Sequence, residues 1–202
     1  TSPVIAVNCP VLGRQPGTVG PALSNISVRL MSITDDTLID PKTFDTGTHA
    51  TALLSHEGEV QVLGENVMLG YFQNPQATAD VTTADGWLKT GDLARYDAQG
   101  RLMITGRIKE LIIKGGENVS PLPIERVLLA HPAVAEAAVV PQQDTVLGEK
   151  IVAYLAFAPD ADADTVLREV KMACRQHLTP LMQPDAYHVL PELPKTPTGK
   201  VI

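Results

Sequence analysis

The 202-residue sequence predicts a β-rich antiparallel subdomain, in the form of a distorted barrel, followed by a small α+β domain. Three observations support this fold class. Up to about residue 107, short runs that alternate apolar and polar residues are separated by glycine and proline turns. Beyond that point, two segments carry apolar residues at helical spacing. Hydrophobic residues make up 44% and charged residues 19% of the chain, a composition typical of a packed globular protein.

Before residue 107 the predicted elements are mainly strands. Ile26–Leu30 and Glu59–Leu63 alternate as half-buried strands do, and the polar stretch 34–57 between them is expected to be an exposed connection. Asn74, which is followed by proline, favours a short helix that Asn74 caps. Asp97–Gly100 is typical of a hairpin turn between two further strands. These elements make up the predicted antiparallel sheet or distorted barrel.

After residue 107 strands alternate with helices. The Gly115-Gly116 pair predicts a hairpin turn. Pro121–His131 and Asp162–His177 carry apolar residues at helical spacing, and the second segment has one clear apolar face. The change from mainly strands to strands that alternate with helices falls between residues 107 and 110. We therefore predict two domains, 1–108 and 109–202. Further strands are predicted over 134–140, 151–157 and 187–190.

Charge and composition exclude several classes of function. A formal net charge of −7 argues against sequence-independent binding of nucleic acid. No apolar run reaches the roughly 18 residues of a membrane span. Cys9 and Cys174 fit no zinc or CxxC spacing and predict two unpaired thiols in a reducing compartment. We therefore expect a cytoplasmic protein, with peripheral membrane association as an alternative, and we expect the chain to be a piece of a longer one.

Three polar stretches carry the chemistry. Asp92, in Lys89–Leu93, follows a glycine turn where its carboxylate can accept both hydroxyls of a ribose, and an Asx-turn is the alternative. Arg107 has a fixed charge and a fork of donors suited to phosphate or ribose. Pro194–Lys200 presents Lys200 on a proline-stiffened loop, where an ammonium can neutralise charge that develops during phosphoryl or nucleotidyl transfer. The alternative for that loop is a frayed terminus with ordinary surface lysines. The five histidines share no ligand spacing, so we predict no metal site.

Taken in order, these stretches resemble the C-terminal part of the adenylate-forming superfamily, which includes acyl-CoA synthetases, peptide-synthetase adenylation domains and luciferases. The resemblance covers nearly the whole chain. It implies that residues 1–108 are the last β-rich subdomain of the large AMP-binding domain and that 109–202 are the mobile C-terminal domain. The matching stretches are GTVGPAL (17–23), GEVQVLGENVMLGYF (58–72), NPQATA (74–79), DGWLKTGDLARYDAQGRLMITGRIKELIIKGGENVSP (85–121) and PKTPTGK (194–200).

The resemblance implies an enzyme that activates a carboxylic acid with ATP, releases pyrophosphate and passes the acyl group to a thiol, usually coenzyme A. It implies that Asp92 binds the ribose hydroxyls and that Arg107 contacts ribose or phosphate. Asn118 matches a position that approaches the phosphate in some members. Lys200 matches the lysine that bridges the carboxylate and the α-phosphate during adenylation.

Adenylation of the acid is the first half-reaction, and transfer of the acyl group to the thiol is the second. The resemblance implies that Lys109 is the hinge about which the small domain rotates between them. Gly116 matches a glycine beside the pantetheine channel of coenzyme A, and a plain hairpin glycine is the alternative. The sequence departs from one part of the family, because coumarate-ligase-like and luciferase-like members carry lysine at the position of Ile113. Lys114 is offset from that position by one residue, so no role carries over to it.

The resulting expectation is a fragment of an ATP-dependent acyl-CoA synthetase, with a fatty acid as the favoured substrate. ATP or AMP, coenzyme A and Mg²⁺ are implied as its cofactors, and the missing N-terminal domain of the same chain is implied as its partner. The fragment alone is expected to be inactive, since the phosphate loop belongs to the missing part. Two alternatives stay open: a synthetase that serves an acyl carrier protein or an acyltransferase, and a non-catalytic docking module.

Overall fold

The computed structural model describes residues 2–39, 57–97 and 100–201. The chain divides into two compact units, Thr1–Ile108 and Lys109–Ile202. The first unit is mainly an antiparallel sheet and the second is a small α+β unit. The predicted fold class is therefore confirmed.

The strands that the structure describes in the first unit are β1 (Ile26–Ser32), β2 (Leu38–Ile39), β3 (Gly58–Gly64), β4 (Leu88–Tyr96) and β5 (Leu102–Arg107). The helix α1 (Pro75–Val81) follows β3. The strands form one sheet in the order β2-β1-β3-β4-β5, and every neighbouring pair is antiparallel. In the described residues the outer strands β2 and β5 do not pair with each other, so this is an open sheet rather than a closed barrel.

Alternation of side chains explains why these segments form strands. Leu30 on β1 and Val60 on β3 are register partners, and both are buried. Val62, two residues along β3, is buried on the same face of the sheet. Two predictions fall partly outside the described residues: positions 40–56 of the exposed connection and positions 98 and 99 of the turn after β4.

The cap of α1 is the one predicted. Asn74 Oδ1 accepts a hydrogen bond from Ala77 N at 3.0 Å, and Pro75 is the first helical residue. A capping oxygen satisfies one of the backbone N–H groups that the first helical turn leaves without a partner, and proline there sacrifices no helical hydrogen bond. The helix therefore begins where the sequence indicates.

The elements of the second unit are β6 (Ile112–Lys114), β7 (Glu117–Val119), α2 (Pro121–Leu129), β8 (Val134–Asp144), β9 (Gly148–Phe157), α3 (Ala163–His177) and β10 (Ala186–Val189). The central strand is β9, which pairs with β8 in antiparallel and with β10 in parallel fashion and meets β6 at Gly148. The predicted hairpin is confirmed, since Lys114 pairs with Glu117 across a two-residue turn.

Both predicted helices of this unit form and pack on the sheet. Val166, Val170 and Cys174 of α3 are buried, as the apolar face predicts, and Ile124 and Leu128 of α2 are fully buried in the same core. The strands β8 and β9 extend beyond the predicted 134–140 and 151–157 into a polar ribbon. A two-stranded ribbon in solvent needs no apolar side chains, so its hydrophobic pattern does not reveal it.

Candidate functional site

The geometry of the first unit brings two of the predicted residues together. Asp92 on β4 and Arg107 at the end of β5 are register partners, and Arg107 Nε lies 2.8 Å from Asp92 Oδ1. Their side chains are 37% and 45% exposed, so the pair is accessible to a ligand. The pairing register shifts between Leu93 and Ala94, and the extra residue Thr105 lies on β5 close to this pair. Such a bulge redirects the side chains beside it.

The backbone around Asp92 is held by two polar side chains. Gly91 has a φ of 73° and its N–H donates to Glu59 Oε1 at 3.0 Å. Thr90 Oγ1 donates to the Val60 carbonyl at 2.8 Å and accepts from Asp92 N at 3.1 Å. The hydroxyl that bonds Asp92 N therefore comes from Thr90, and the Asp92 carboxylate points to Arg107 rather than closing an Asx-turn.

This arrangement has a definite chemical capacity. A carboxylate accepts hydrogen bonds from two neighbouring hydroxyls, as in the 2′ and 3′ positions of a ribose. A guanidinium beside it donates in a fixed plane to phosphate or ribose oxygens. Together the two groups form a bidentate acceptor next to a charged donor, on the surface of a sheet that fixes both backbones.

The glycine hairpin of the second unit places two further predicted residues close together. Gly115 and Gly116 have φ values of 61° and 85°, which a two-residue turn of type I′ requires. A Cβ on Gly116 would meet no atom of the described chain within 4 Å. Asn118 lies exposed on β7, opposite Ile113. The surface beside Gly116 is thus open to a ligand.

Three contacts hold this hairpin against the rest of the second unit. Ile113 N donates to Glu149 Oε2 at 2.7 Å, and Gly115 N donates to the Leu147 carbonyl at 2.8 Å. Lys114 Nζ lies 2.8 Å from Asp185 Oδ1. Because Lys114 is buried in this ion pair, its ammonium is not presented at the surface where Gly116 lies.

Lys200 lies on a loop that is closed on itself. Gly199 N donates to the Thr196 carbonyl at 2.9 Å, and Thr196 N donates to the Lys200 carbonyl at 2.7 Å. With Gly199 at a φ of 83°, this is a three-residue hairpin loop that ends in a glycine bulge. The Lys200 side chain makes no ion pair with any residue that the structure describes. The alternative of a frayed terminus does not fit this bonded loop.

The predicted residues therefore fall into four places. Asp92 and Arg107 form one pair in the first unit, Gly116 and Asn118 share the hairpin, Lys200 has its own loop, and Lys109 lies exposed in a short 3₁₀ turn over Ile108–Glu110. Sequence reasoning missed Glu59, which holds Gly91, and Asp185, which holds Lys114. Each lies more than 30 residues from the residue that it holds, so no local spacing reveals the contact.

Two features of the described residues bear on ligands. A surface groove of about 610 Å³ lies beside α1, lined in part by Leu69, Thr78 and Leu88, and it contains none of the predicted site residues. In the described ranges no group of three or more His, Cys, Asp or Glu side chains can hold a metal ion.

Comparison with known proteins shows what the chain is similar to. Residues 123–200 match the family model of the AMP-binding enzyme C-terminal domain. The whole fold is similar to O-succinylbenzoate coenzyme A synthetase from Bacillus subtilis in complex with AMP, with a TM-score of 0.77 and 32% identity over 98% of this chain and 37% of that one. Residues 123–200 therefore belong to the family of AMP-binding enzyme C-terminal domains.

The chain is similar to ligases with different acids in their names. It is 44% identical to a sulfoacetate–CoA ligase of Cupriavidus necator over 71% of this chain and 28% of that protein. It is 37% identical to a medium-chain fatty-acid–CoA ligase of Escherichia coli over 72% of this chain and 26% of that protein. The chain thus spans about a third or less of the length of these relatives. None of the helices within the described ranges is long and apolar enough to cross a membrane.

Proposed function

We propose that this chain is the C-terminal third of an ATP-dependent acid–CoA ligase, which adenylates a carboxylic acid and passes the acyl group to coenzyme A. The observation that carries the proposal is the Asp92–Arg107 pair, in which an accessible carboxylate and guanidinium lie side by side on adjacent strands. The carboxylate can accept the ribose hydroxyls of a nucleoside phosphate, and the guanidinium can donate to its phosphate or ribose oxygens. The similarity to enzymes named as CoA ligases supports the same conclusion.

In this proposal each unit has its own task. Asp92 accepts the ribose hydroxyls, and Arg107 donates to the ribose or a phosphate. The first unit is the last subdomain of the large AMP-binding domain. The second unit, which begins at Lys109, is the mobile domain, and Lys109 is its hinge because a short 3₁₀ turn can absorb a change in backbone angles.

The second unit supplies different residues to the two half-reactions, Lys200 to adenylation and Gly116 to the transfer of the acyl group to coenzyme A. The Lys200 ammonium bridges the acid carboxylate and the α-phosphate, where negative charge is most crowded during adenylation. Gly116 leaves room for the pantetheine arm of coenzyme A, and its open surroundings support that role. Asn118, exposed on the same hairpin, donates to the phosphate. The two cysteines are unpaired, which supports a cytoplasmic location.

The test is acid-dependent release of pyrophosphate by the full-length ligase that contains this chain. The acids should include sulfoacetate, 2-methylpropanoate, medium-chain fatty acids and 4-coumarate, because these appear in the names of the relatives. We propose a fatty acid as the first candidate. Release followed by a CoA thioester supports the proposal. Adenylate that accumulates despite coenzyme A indicates a carrier-protein acceptor instead, and no release with any acid contradicts the ligase and favours a docking module.

The role of Lys200 has its own test in the same protein. We expect Lys200→Ala to slow adenylation by roughly 100-fold or more, because a charge aimed at the transition state is lost. Thioester formation from synthetic acyl-adenylate should stay unchanged. Lys150→Ala is the matched control, since Lys150 is a partly exposed lysine of the same unit without an ion pair in the described residues. Equal loss of both half-reactions would contradict the assignment. The 202-residue chain alone should release no pyrophosphate.

A further inference from the structure

An ion pair outside the predicted site connects the loop of Lys200 to the sheet of the second unit. Lys195 Nζ lies 2.6 Å from Glu136 Oε1 on β8, although the two residues are 59 positions apart in the sequence. The side chains are 40% and 26% exposed. Neither residue has a role in the proposed reaction so far. The contact is therefore a long-range link between the central sheet and the end of the described chain.

Glu136 lies next to a bulge in the sheet. From Asp144 back to Glu136, β8 pairs with β9 one residue at a time, and Glu136 pairs with Ala156. The next pair is Val134 with Phe157, so Ala135 is an extra residue on β8. The bulge breaks the alternation between Val134 and Glu136. Glu136 itself keeps its register with Ala156, and its carboxylate contacts Lys195.

The loop that carries Lys200 behaves as one body attached through this ion pair. Lys195 and Val201 form an antiparallel bridge that closes residues 195–201. Lys200 N donates to Thr196 Oγ1 at 3.1 Å, in addition to the backbone hydrogen bonds inside the loop. Among the described residues, the Glu136–Lys195 contact is the polar contact that joins 195–201 to the rest of the unit. Moving Lys195 therefore moves the Lys200 backbone with it.

We propose that Glu136 is a positioning residue for adenylation, which holds Lys195 and thereby fixes the loop from which Lys200 reaches the substrate. This inference rests on the proposed role of Lys200. The Lys195 ammonium, and to a smaller extent the Leu193 N–H, hold the pKa of the Glu136 carboxyl below its usual range. The anchor is thus charged at neutral pH. Both side chains are partly exposed, so the pair adds little to folding stability, and its loss should shift the population of the held loop by only a few-fold.

The experiment compares Glu136→Ala with wild-type full-length ligase in both half-reactions. Because a partly exposed ion pair biases the position of the loop by only a few-fold, we expect the kcat for adenylation to fall by about 3- to 5-fold. The KM for ATP and the rate of thioester formation from synthetic adenylate should stay within about 2-fold of wild type. Glu169→Ala is the matched control, because Glu169 pairs with His131 at 2.9 Å elsewhere in the unit.

Charge reversal separates positioning from a general effect on folding. Glu136→Lys and Lys195→Glu should each slow adenylation, and the double variant should recover most of the loss because it restores an ion pair of opposite polarity. Recovery by the double variant, with an unchanged thermal midpoint in Glu136→Ala, supports the inference. No recovery, or an equal decline of both half-reactions, overturns it.

A readout that does not need the acid distinguishes this inference from the proposed function. Amide hydrogen exchange of Thr196 and Gly199 should accelerate in Glu136→Ala and return towards wild type in the reversed pair, since the closed loop loses its anchor. Unchanged exchange overturns the inference even if wild-type activity is found. If exchange changes as expected but no acid releases pyrophosphate, the anchor stands and the ligase proposal fails.

Discussion

The ion pair between Lys114 and Asp185 makes a quantitative prediction about the stability of the second unit. Lys114 Nζ lies 2.8 Å from Asp185 Oδ1 and donates to the Gln183 carbonyl at 3.3 Å. The Lys114 side chain is 9% exposed and that of Asp185 is 31% exposed. Asp185 Oδ2 also accepts from Ile151 N at 2.8 Å. One carboxylate thus ties the glycine hairpin to β9 and to the start of β10.

Removing the two partners should have unequal effects. Breaking a fully buried ion pair costs about 3–5 kcal/mol, and the partial exposure of Asp185 lowers our expectation for Asp185→Asn to about 2–3 kcal/mol. Lys114→Met leaves a more exposed carboxylate that keeps its bond to Ile151, so we expect about 1–2 kcal/mol. The double variant should lose less than the sum of the two, by roughly 1 kcal/mol or more, because it leaves no uncompensated buried cation.

Urea unfolding of the chain, followed by far-ultraviolet circular dichroism, measures these differences. The signal reports on the second unit because the two longer helices, α2 and α3, belong to it. Lys150→Met is the control, and we expect it to change the free energy of unfolding by less than about 0.5 kcal/mol. The reasoning is refuted if Asp185→Asn costs less than about 0.5 kcal/mol, or if the double variant equals the sum of the single variants.

The remaining predictions concern pH and the hinge. Hydrogen bonds from Arg29 and then Thr83 lower the pKa of Asp85 from 3.8 to about 2, so its contribution to stability is present above about pH 4 and is lost as the pH falls towards 2. Asp85→Asn should therefore lower the thermal midpoint more at pH 7 than at pH 2, where about half of the Asp85 carboxyls in the folded protein are already protonated, whereas Glu65→Gln should lower it at neither pH. A difference as large at pH 2 as at pH 7 rules out the Arg29 contact as its source. Lys109→Pro should block thioester formation and spare adenylation, because proline fixes φ in the turn proposed as the hinge. Pyrophosphate release and CoA thioester measured in parallel check this, and normal overall turnover contradicts the hinge.

Much of the fold can be predicted from the sequence because its signals are local. The Asn74 cap, the Gly115-Gly116 turn and the apolar face of α3 each depend on residues within a few positions of one another. The full lengths of β8 and β9 cannot be predicted in this way. Their polar ends pair with each other in solvent, and only the pairing itself, not side-chain hydrophobicity, makes them strands.

Site residues that belong to a local motif can be predicted from the sequence, and those that act through a remote partner cannot. Asp92 follows a glycine turn within a specific motif, so it can be predicted even though the register shifts beside it. Glu136 lies in an ordinary apolar run, and strand alternation alone makes it one more outward-facing residue. Its partner Lys195 lies 59 positions away, and no local pattern connects the two residues. Because strand alternation gives only the face on which a side chain lies and not its remote partner, the role of Glu136 becomes visible only in the structure.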